Sequence, residues 1–279
     1  MSIPYQSCQT FKEVLKKQNS SFFSSFYFLP KFKREALTKI YGFARIIDDC
    51  VDELNDPQEK ENALKFWGEN LEKIYQNQED HSLMRELSQV IRRHGIPEKY
   101  FLDLIEGCGM DIQKTSYETL EELLRYCYRV ASSVGLMCLK VFEYRSETAE
   151  QMAINLGYAF QLTNILRDVG QDLKLGRIYL PKNEMARFGY SPNDLKNQVR
   201  NKNFFSMMDH FYQLAENFYQ KAFSEFKKEK SNCLIAAKIM ARFYFAILKK
   251  IRKKDYPIFQ EKVSLTFFEK TKFLFWGEP

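Results

Sequence analysis

Residues 161–181 read QLTNILRDVGQDLKLGRIYLP and place Asp168 and Asp172 four positions apart. On an α-helix that spacing puts both carboxylates on one face, with Cβ atoms about 5–6 Å apart. Asn164 continues the face toward the N-terminus, and Phe160 and Leu156 extend it further. The face grades from apolar through amide to carboxylate, like the wall of an apolar cavity with a charged mouth. Any fold for this chain has to give that wall a partner.

A partner is present in YGFARIIDDCVDE. Tyr41, Arg45, Asp48 and Asp52 recur at i, i+4, i+7 and i+11, within a narrow sector of a helix expected over residues 31–55. Asp49 and Glu53 form a competing acid pair about 100° round the helix. Register with Tyr41 and Arg45 selects Asp48 and Asp52. The chain has 36 acidic residues in 279, so chance alone supplies on the order of four or five acid pairs at this spacing. The weight rests on two pairs, each in register with polar neighbours and apolar lining.

The rest of the chain favours helices to carry them. Eleven Gly and eight Pro in 279 residues leave few places to turn, and periodic segments cover 10–17, 58–75, 82–94, 98–114, 119–142, 147–173, 204–228 and 232–253. Two short helices are expected near Lys182 and Asn193. No linker, repeat or low-complexity run divides them, so the expected architecture is all-α, one domain over 1–279. Gly107-Cys108-Gly109 lacks the third glycine and the preceding strand of a nucleotide loop. In YCYRVASSVGLMCL, Tyr126, Val130 and Val134 share a face, and Ala131, Ser132, Ser133 and Gly135 either pack helices closely or hold a pocket wall open. Residues 256–276 alternate Phe, Leu and Lys and read as a final packed helix rather than a membrane anchor.

Charge and residue types narrow the chemistry. A net charge of +6 suits an anionic partner such as a phosphorylated ligand or a membrane surface, and no nucleic-acid partner is expected. Six scattered cysteines without a C-x-x-C pair or a secretory signal point to reduced thiols in the cytoplasm. No run of about 18 apolar residues supplies a spanning helix, which leaves peripheral contact at the inner membrane face open. His81, His94 and His210 all lie outside the acidic clusters, which argues against a zinc hydrolase or a Ser-His nucleophile. Four acids converging on one cavity repel unless a cation sits between them. Mg²⁺ suits such a site because it takes carboxylate oxygens together with substrate phosphates. Arg45, Arg167 and Arg177 would bind the same phosphates. The implied chemistry is departure of diphosphate from a large apolar body, with aromatic faces stabilising the carbocation left behind.

The stretches SFFSSFYFLP, YGFARIIDDCVDE, YCYRVASSVGL and QLTNILRDVGQDLKLGRIYLP, in this order, resemble the squalene and phytoene synthase family of head-to-head prenyl transferases. The resemblance implies an isoprenoid-synthase helical bundle around a central cavity, with Mg²⁺ held by Asp48, Asp52, Asp168 and Asp172. It implies that Ser21, Tyr41, Arg45, Gln161, Asn164 and Arg167 contact diphosphate or metal. Tyr126, Tyr179 and Tyr244 would stand near the reacting carbons, with Arg45 in the catalytic set. Gln18 and Asn19 depart from the family's His-Ser, and the expected basic residue of the tail falls to Lys270 or Lys272. In such enzymes the C1 cation of one substrate is attacked by the double bond of the other, and proton loss closes a cyclopropane. A second ionisation gives the linear product. The stretch EGCGMDIQKTSYETLEELLRYCYRVASSVG favours the enzymes that convert two farnesyl diphosphates to presqualene diphosphate or squalene. The alternative is a phytoene synthase acting on two geranylgeranyl diphosphates. NADPH use stays open, since family members bind it without a Rossmann fingerprint, and oligomeric state is unreadable. A terpene cyclase would share the fold but use one substrate, and a non-enzymatic prenyl-lipid binder would use the acids only to solvate helix faces.

Overall fold

The computed structural model describes residues 3–15, 29–144, 146, 148–228, 232–266 and 268–269. Its helices are α1 (Phe11–Leu15), α2 (Lys31–Asp52), α3 (Pro57–Tyr75), α4 (Ser82–His94), α5 (Glu98–Gln113), α6 (Leu120–Cys127), α7 (Ser133–Phe142), α8 (Ala149–Lys174), α9 (Lys182–Arg187), α10 (Pro192–Lys196), α11 (Lys202–Lys228) and α12 (Ile235–Lys253). Among the described residues there is no strand, only one isolated bridge between Ser116 and Ile178. No described helix is long and apolar enough to cross a membrane.

Local chemistry sets the ends of these helices. Asp56 caps α3 by accepting from the Gln58 N–H at 2.7 Å, with Pro57 in the first turn, where a missing N–H costs nothing. Gly95, at φ 59°, closes α4 in the left-handed conformation that glycine adopts freely. Ser191 and Asp194 form a reciprocal capping box on α10.

Two apolar cores result. One gathers α1 to α5, α7 and the first half of α8 around Trp67, with Phe43 edge-on to Phe101 at 5.4 Å. The other gathers α6, the second half of α8 and α9 to α12 around Phe204, Phe211 and Tyr219. Val130 and Phe160 pack against both, so α8 runs through the middle of the bundle.

Two elements differ from the sequence expectation. The helix expected over 119–142 is interrupted by a π-turn, Tyr128–Ser132, a device that inserts one residue and re-aims the side chains after it. It forms where two helices press in. A Cβ on Gly107 would come within 2.7 Å of Arg129 Cβ, and one on Gly157 within 2.4 Å of Ser132 Cα. Both readings of the small residues therefore hold, because Ser132 meets Gly157 in close packing while Ala131, Val134 and Gly135 line a cavity.

The second difference is the tail. Residues 254–266 form an irregular strap, not a helix. Asp255 and Tyr256 both take φ 54°, which breaks the helical path, and the apolar pairs Tyr256/Ile258 and Val263/Leu265, each two residues apart, do not build a helical face. The strap is nonetheless packed, with Tyr256, Ile258, Val263 and Leu265 buried and the Arg200 guanidinium donating to the carbonyls of Asp255 and Tyr256. The remainder of 256–276 lies outside the described residues, apart from 268–269.

Candidate active site

The two acid-bearing faces line one pocket. Asp48 and Asp52 come from α2, and Asp168 and Asp172 from the last turns of α8. Arg177 and Tyr179 follow that helix, Tyr126 comes from α6, and Lys262 reaches in from the strap. This acidic branch has a volume of about 700 Å³. A second, apolar branch of about 210 Å³ runs between α7, α8 and α12. Tyr41, Ala44, Val130, Gln161, Asn164 and Tyr244 line both. The grease-to-carboxylate grading read along residues 156–172 thus lines two adjoining chambers that share six wall residues.

Each arginine expected at the site holds an acid. Arg45 donates to Asp48 at 3.0 Å and also pairs with Asp49. Asp49 is fully buried, points into the core and accepts from the Tyr5 hydroxyl at 2.6 Å, which removes it from the pocket. Arg167 grips Asp168 through two nitrogens at 2.9 and 2.5 Å and lies close to Tyr244. Arg177, itself buried, donates to Asp52 at 2.7 Å and lies 3.9 Å from Asp111. Lys262 approaches Asp168 at 3.1 Å. Asp172 forms no side-chain ion pair among the described residues.

Burial first, and crowding of like charge second, show in the acidities. Burial, then repulsion by Asp52, pushes Asp48 up to about 7. About half of its side-chain surface is open, but it opens onto the cavity. Burial, then Asp168, pushes Asp172 up to about 7 as well. Asp111 rises to about 6 through burial, opposed by Arg177 and by two tyrosine hydroxyls. Such a site favours a cation. No three acidic, histidine or cysteine side chains among the described residues converge tightly enough to enclose an ion by themselves. That matches Mg²⁺, which keeps waters and completes its shell with substrate phosphates. Buried oxygens Asp111 Oδ1 and Asn164 Oδ1 have no partner among the described residues and leave acceptor capacity at the same place. The residues present therefore fit the ion.

Tyr126 and Tyr179 stack at 5.1 Å and 25°, and both hydroxyls donate to Asp111 Oδ2, at 3.0 and 2.7 Å. Tyr117 extends the stack behind Tyr179. Tyr244 stands apart, against Phe160 at 4.7 Å. The three expected tyrosines thus form a pair on the acidic side and a single ring at the junction. Gln161 accepts from Asn164 at 3.4 Å. Ser21, Gln18, Asn19, Lys270 and Lys272 lie outside the described residues.

Two site residues escape sequence reasoning. Asp111 follows Leu104 and Cys108 at i, i+4, i+7 on α5, and all three line the pocket; that register was the available signal. Lys262 had none, since it arrives on a strap whose path no local pattern specifies.

An all-α bundle in which an apolar chamber adjoins an acid- and arginine-lined one suits an amphiphile with an anionic head. The family model for squalene/phytoene synthase matches residues 15–269, and the chain belongs to that family of head-to-head prenyl transferases. A 15-cis-phytoene synthase of Synechococcus elongatus is 36% identical over 211 residues, covering 71% of this chain and 68% of the relative. Phytoene synthase 1 of Zea mays is 38% identical over 197 residues, covering 68% of this chain and 48% of that protein; the match spans about half the length of such plant relatives. A crystal structure of a dehydrosqualene synthase with a ligand superposes with a TM-score of 0.86 at 32% identity, covering 95% of this chain and 92% of that one. A squalene synthase from Alicyclobacillus acidocaldarius superposes at 0.82 with 25% identity, covering 88% and 93%.

Proposed function

We propose that this protein joins two prenyl diphosphates head to head and releases diphosphate, with Asp48, Asp52, Asp168 and Asp172 holding Mg²⁺. The observation that carries the reading is that an acidic and an apolar chamber adjoin through six shared wall residues, which suits an anionic head beside an apolar chain.

When bound, Mg²⁺ supplies Lewis-acid stabilisation of the charge on a departing diphosphate. Arg45 and Arg167 already face the pocket from opposite walls and exchange carboxylate for phosphate oxygens without leaving it. Arg177, buried between Asp52 and Asp111, acts as a fixed internal counter-charge to those acids. The stacked faces of Tyr126 and Tyr179 offer electron density to an allylic cation. Their hydroxyls stay committed to Asp111, which holds the rings in place and leaves Asp111 Oδ1 as an acceptor near the same point. Tyr244, close to Arg167 and on the wall of both chambers, links head recognition to the mouth of the apolar branch.

The names of the curated relatives favour a phytoene synthase, hence geranylgeranyl diphosphate and a C40 product, over the farnesyl reading taken from residues 106–135. The C30 reading keeps support from the dehydrosqualene synthase structure, which matches nearly the whole chain, and from the squalene synthase structure. Incubation with Mg²⁺ and each diphosphate in turn, followed by mass spectrometry, separates them. Conversion of neither substrate would overturn the proposal.

A further inference from the structure

This inference rests on the prenyl diphosphate reading and concerns where the apolar chain stops. Three helical runs line the apolar branch side by side. Each begins at a residue shared with the acidic branch, namely Val130 in the π-turn leading into α7, Asn164 on α8 and Tyr244 on α12. Each run ends, among the described residues, at one buried apolar side chain. The ends are Phe142 on the first run, Met152 on the second and Leu234 just before α12 on the third. At 1.5 Å per residue the walls from the shared residues to these ends are about 15–18 Å long. The three ends therefore form one layer at similar depth, on the side away from the acids.

We propose that Phe142, Met152 and Leu234 form the floor that sets the length of prenyl chain accepted. Phe142 is a fixed stop. It is the last residue of α7, its carbonyl accepts at 2.8 Å from Nζ of the buried Lys33, and Lys33 pairs with the neighbouring Glu143 at 3.3 Å. Leu234 is fully buried. Met152 is the adaptable member, since an unbranched thioether reshapes at little cost. Val134, Leu156 and Phe160 lie between the shared residues and the floor, so their size sets the width of the branch and not its depth. The floor is a distinct determinant from the acids and arginines, none of which it touches.

The test is a competition. Purified wild type, Phe142→Ala, Leu234→Ala, Ala237→Leu and Val134→Ala are given Mg²⁺ with farnesyl, geranylgeranyl and geranylfarnesyl diphosphates, and products are counted by mass spectrometry. Phe142→Ala and Leu234→Ala are expected to raise kcat/KM for the longer substrate over the shorter by about tenfold or more, the lower end of what one methylene decides in an apolar pocket. Ala237→Leu, one turn nearer the acids than Leu234, is expected to lower that ratio, and Val134→Ala to leave it unchanged. An unchanged ratio in Phe142→Ala and Leu234→Ala overturns the floor. If both unfold, an unchanged ratio in Ala237→Leu overturns it. Wild type that consumes none of the three sinks the functional reading and this inference together, whereas active wild type with unmoved ratios sinks the inference alone.

Discussion

Asp172 stands among Asp168, Asp111 and Asp52 without an ion pair of its own among the described residues, and its acidity records the strain. Its pKa of about 7 in the fold, against an ordinary 3.8, means that the group's stabilising contribution is fully present below about pH 4. That contribution is lost as pH rises through about 7. Asp172→Asn is therefore expected to raise Tm of the metal-free protein at pH 8, by about 2–4 °C for each kcal/mol of relieved desolvation and repulsion. At pH 5, where only the part of that loss accrued above about pH 4 has set in, the gain in Tm should be smaller. Turnover should fall at least about a hundredfold, as for removal of a group that stabilises developing charge. Thermal denaturation at the two pH values checks this, and a lower Tm at pH 8 would mean that the carboxylate is held by a partner. The four aspartates of the two pairs were legible because spacing alone places them on a face with amides and apolar residues. Asp111 was not, because a single acid on α5 acquires meaning only when α5 brings it beneath Tyr126, Tyr179 and Arg177.

At the scale of elements, helices were legible and irregular segments were not. Periodicity marks α2 and α8 within a few residues of their ends. The π-turn and the strap are answers to tertiary contact, at Gly157 against Ser132 and at Gly170 against the strap. Gly170 sits between Asp168 and Asp172, and a Cβ there would come within 2.4 Å of the Ile258 carbonyl oxygen. A backbone atom cannot yield as a side chain does. Gly170→Ala is expected to cost about 1–3 kcal/mol, as overpacking does, and to lift the strap so that Lys262 leaves Asp168. Limited proteolysis read by mass spectrometry should then show faster cleavage within 254–266. Cleavage at the wild-type rate would show that the strap is not seated on that turn of α8. Lys262→Ala should leave the cleavage rate unchanged, because the strap's apolar anchors remain, and should weaken diphosphate binding.

For the whole molecule, the spread of the carboxylates around a wide pocket decides how metal binds. With no three of them converging among the described residues, Mg²⁺ alone should raise Tm little. Inorganic pyrophosphate and Mg²⁺ together should raise it clearly, since a ligand at a hundred times its Kd contributes about 2.7 kcal/mol. EDTA should reverse the gain. A full shift with Mg²⁺ alone would mean that the protein builds a closed metal cage. The central claim is that the protein joins two prenyl diphosphates head to head. Its most direct test uses prenyl diphosphate labelled with ¹³C at C1, turned over with Mg²⁺ and analysed by mass spectrometry and NMR. The expected product carries two labelled carbons in one molecule, directly bonded to each other if the reaction runs on to a linear hydrocarbon. A product with a single labelled carbon, cyclic or alcohol, would contradict the claim.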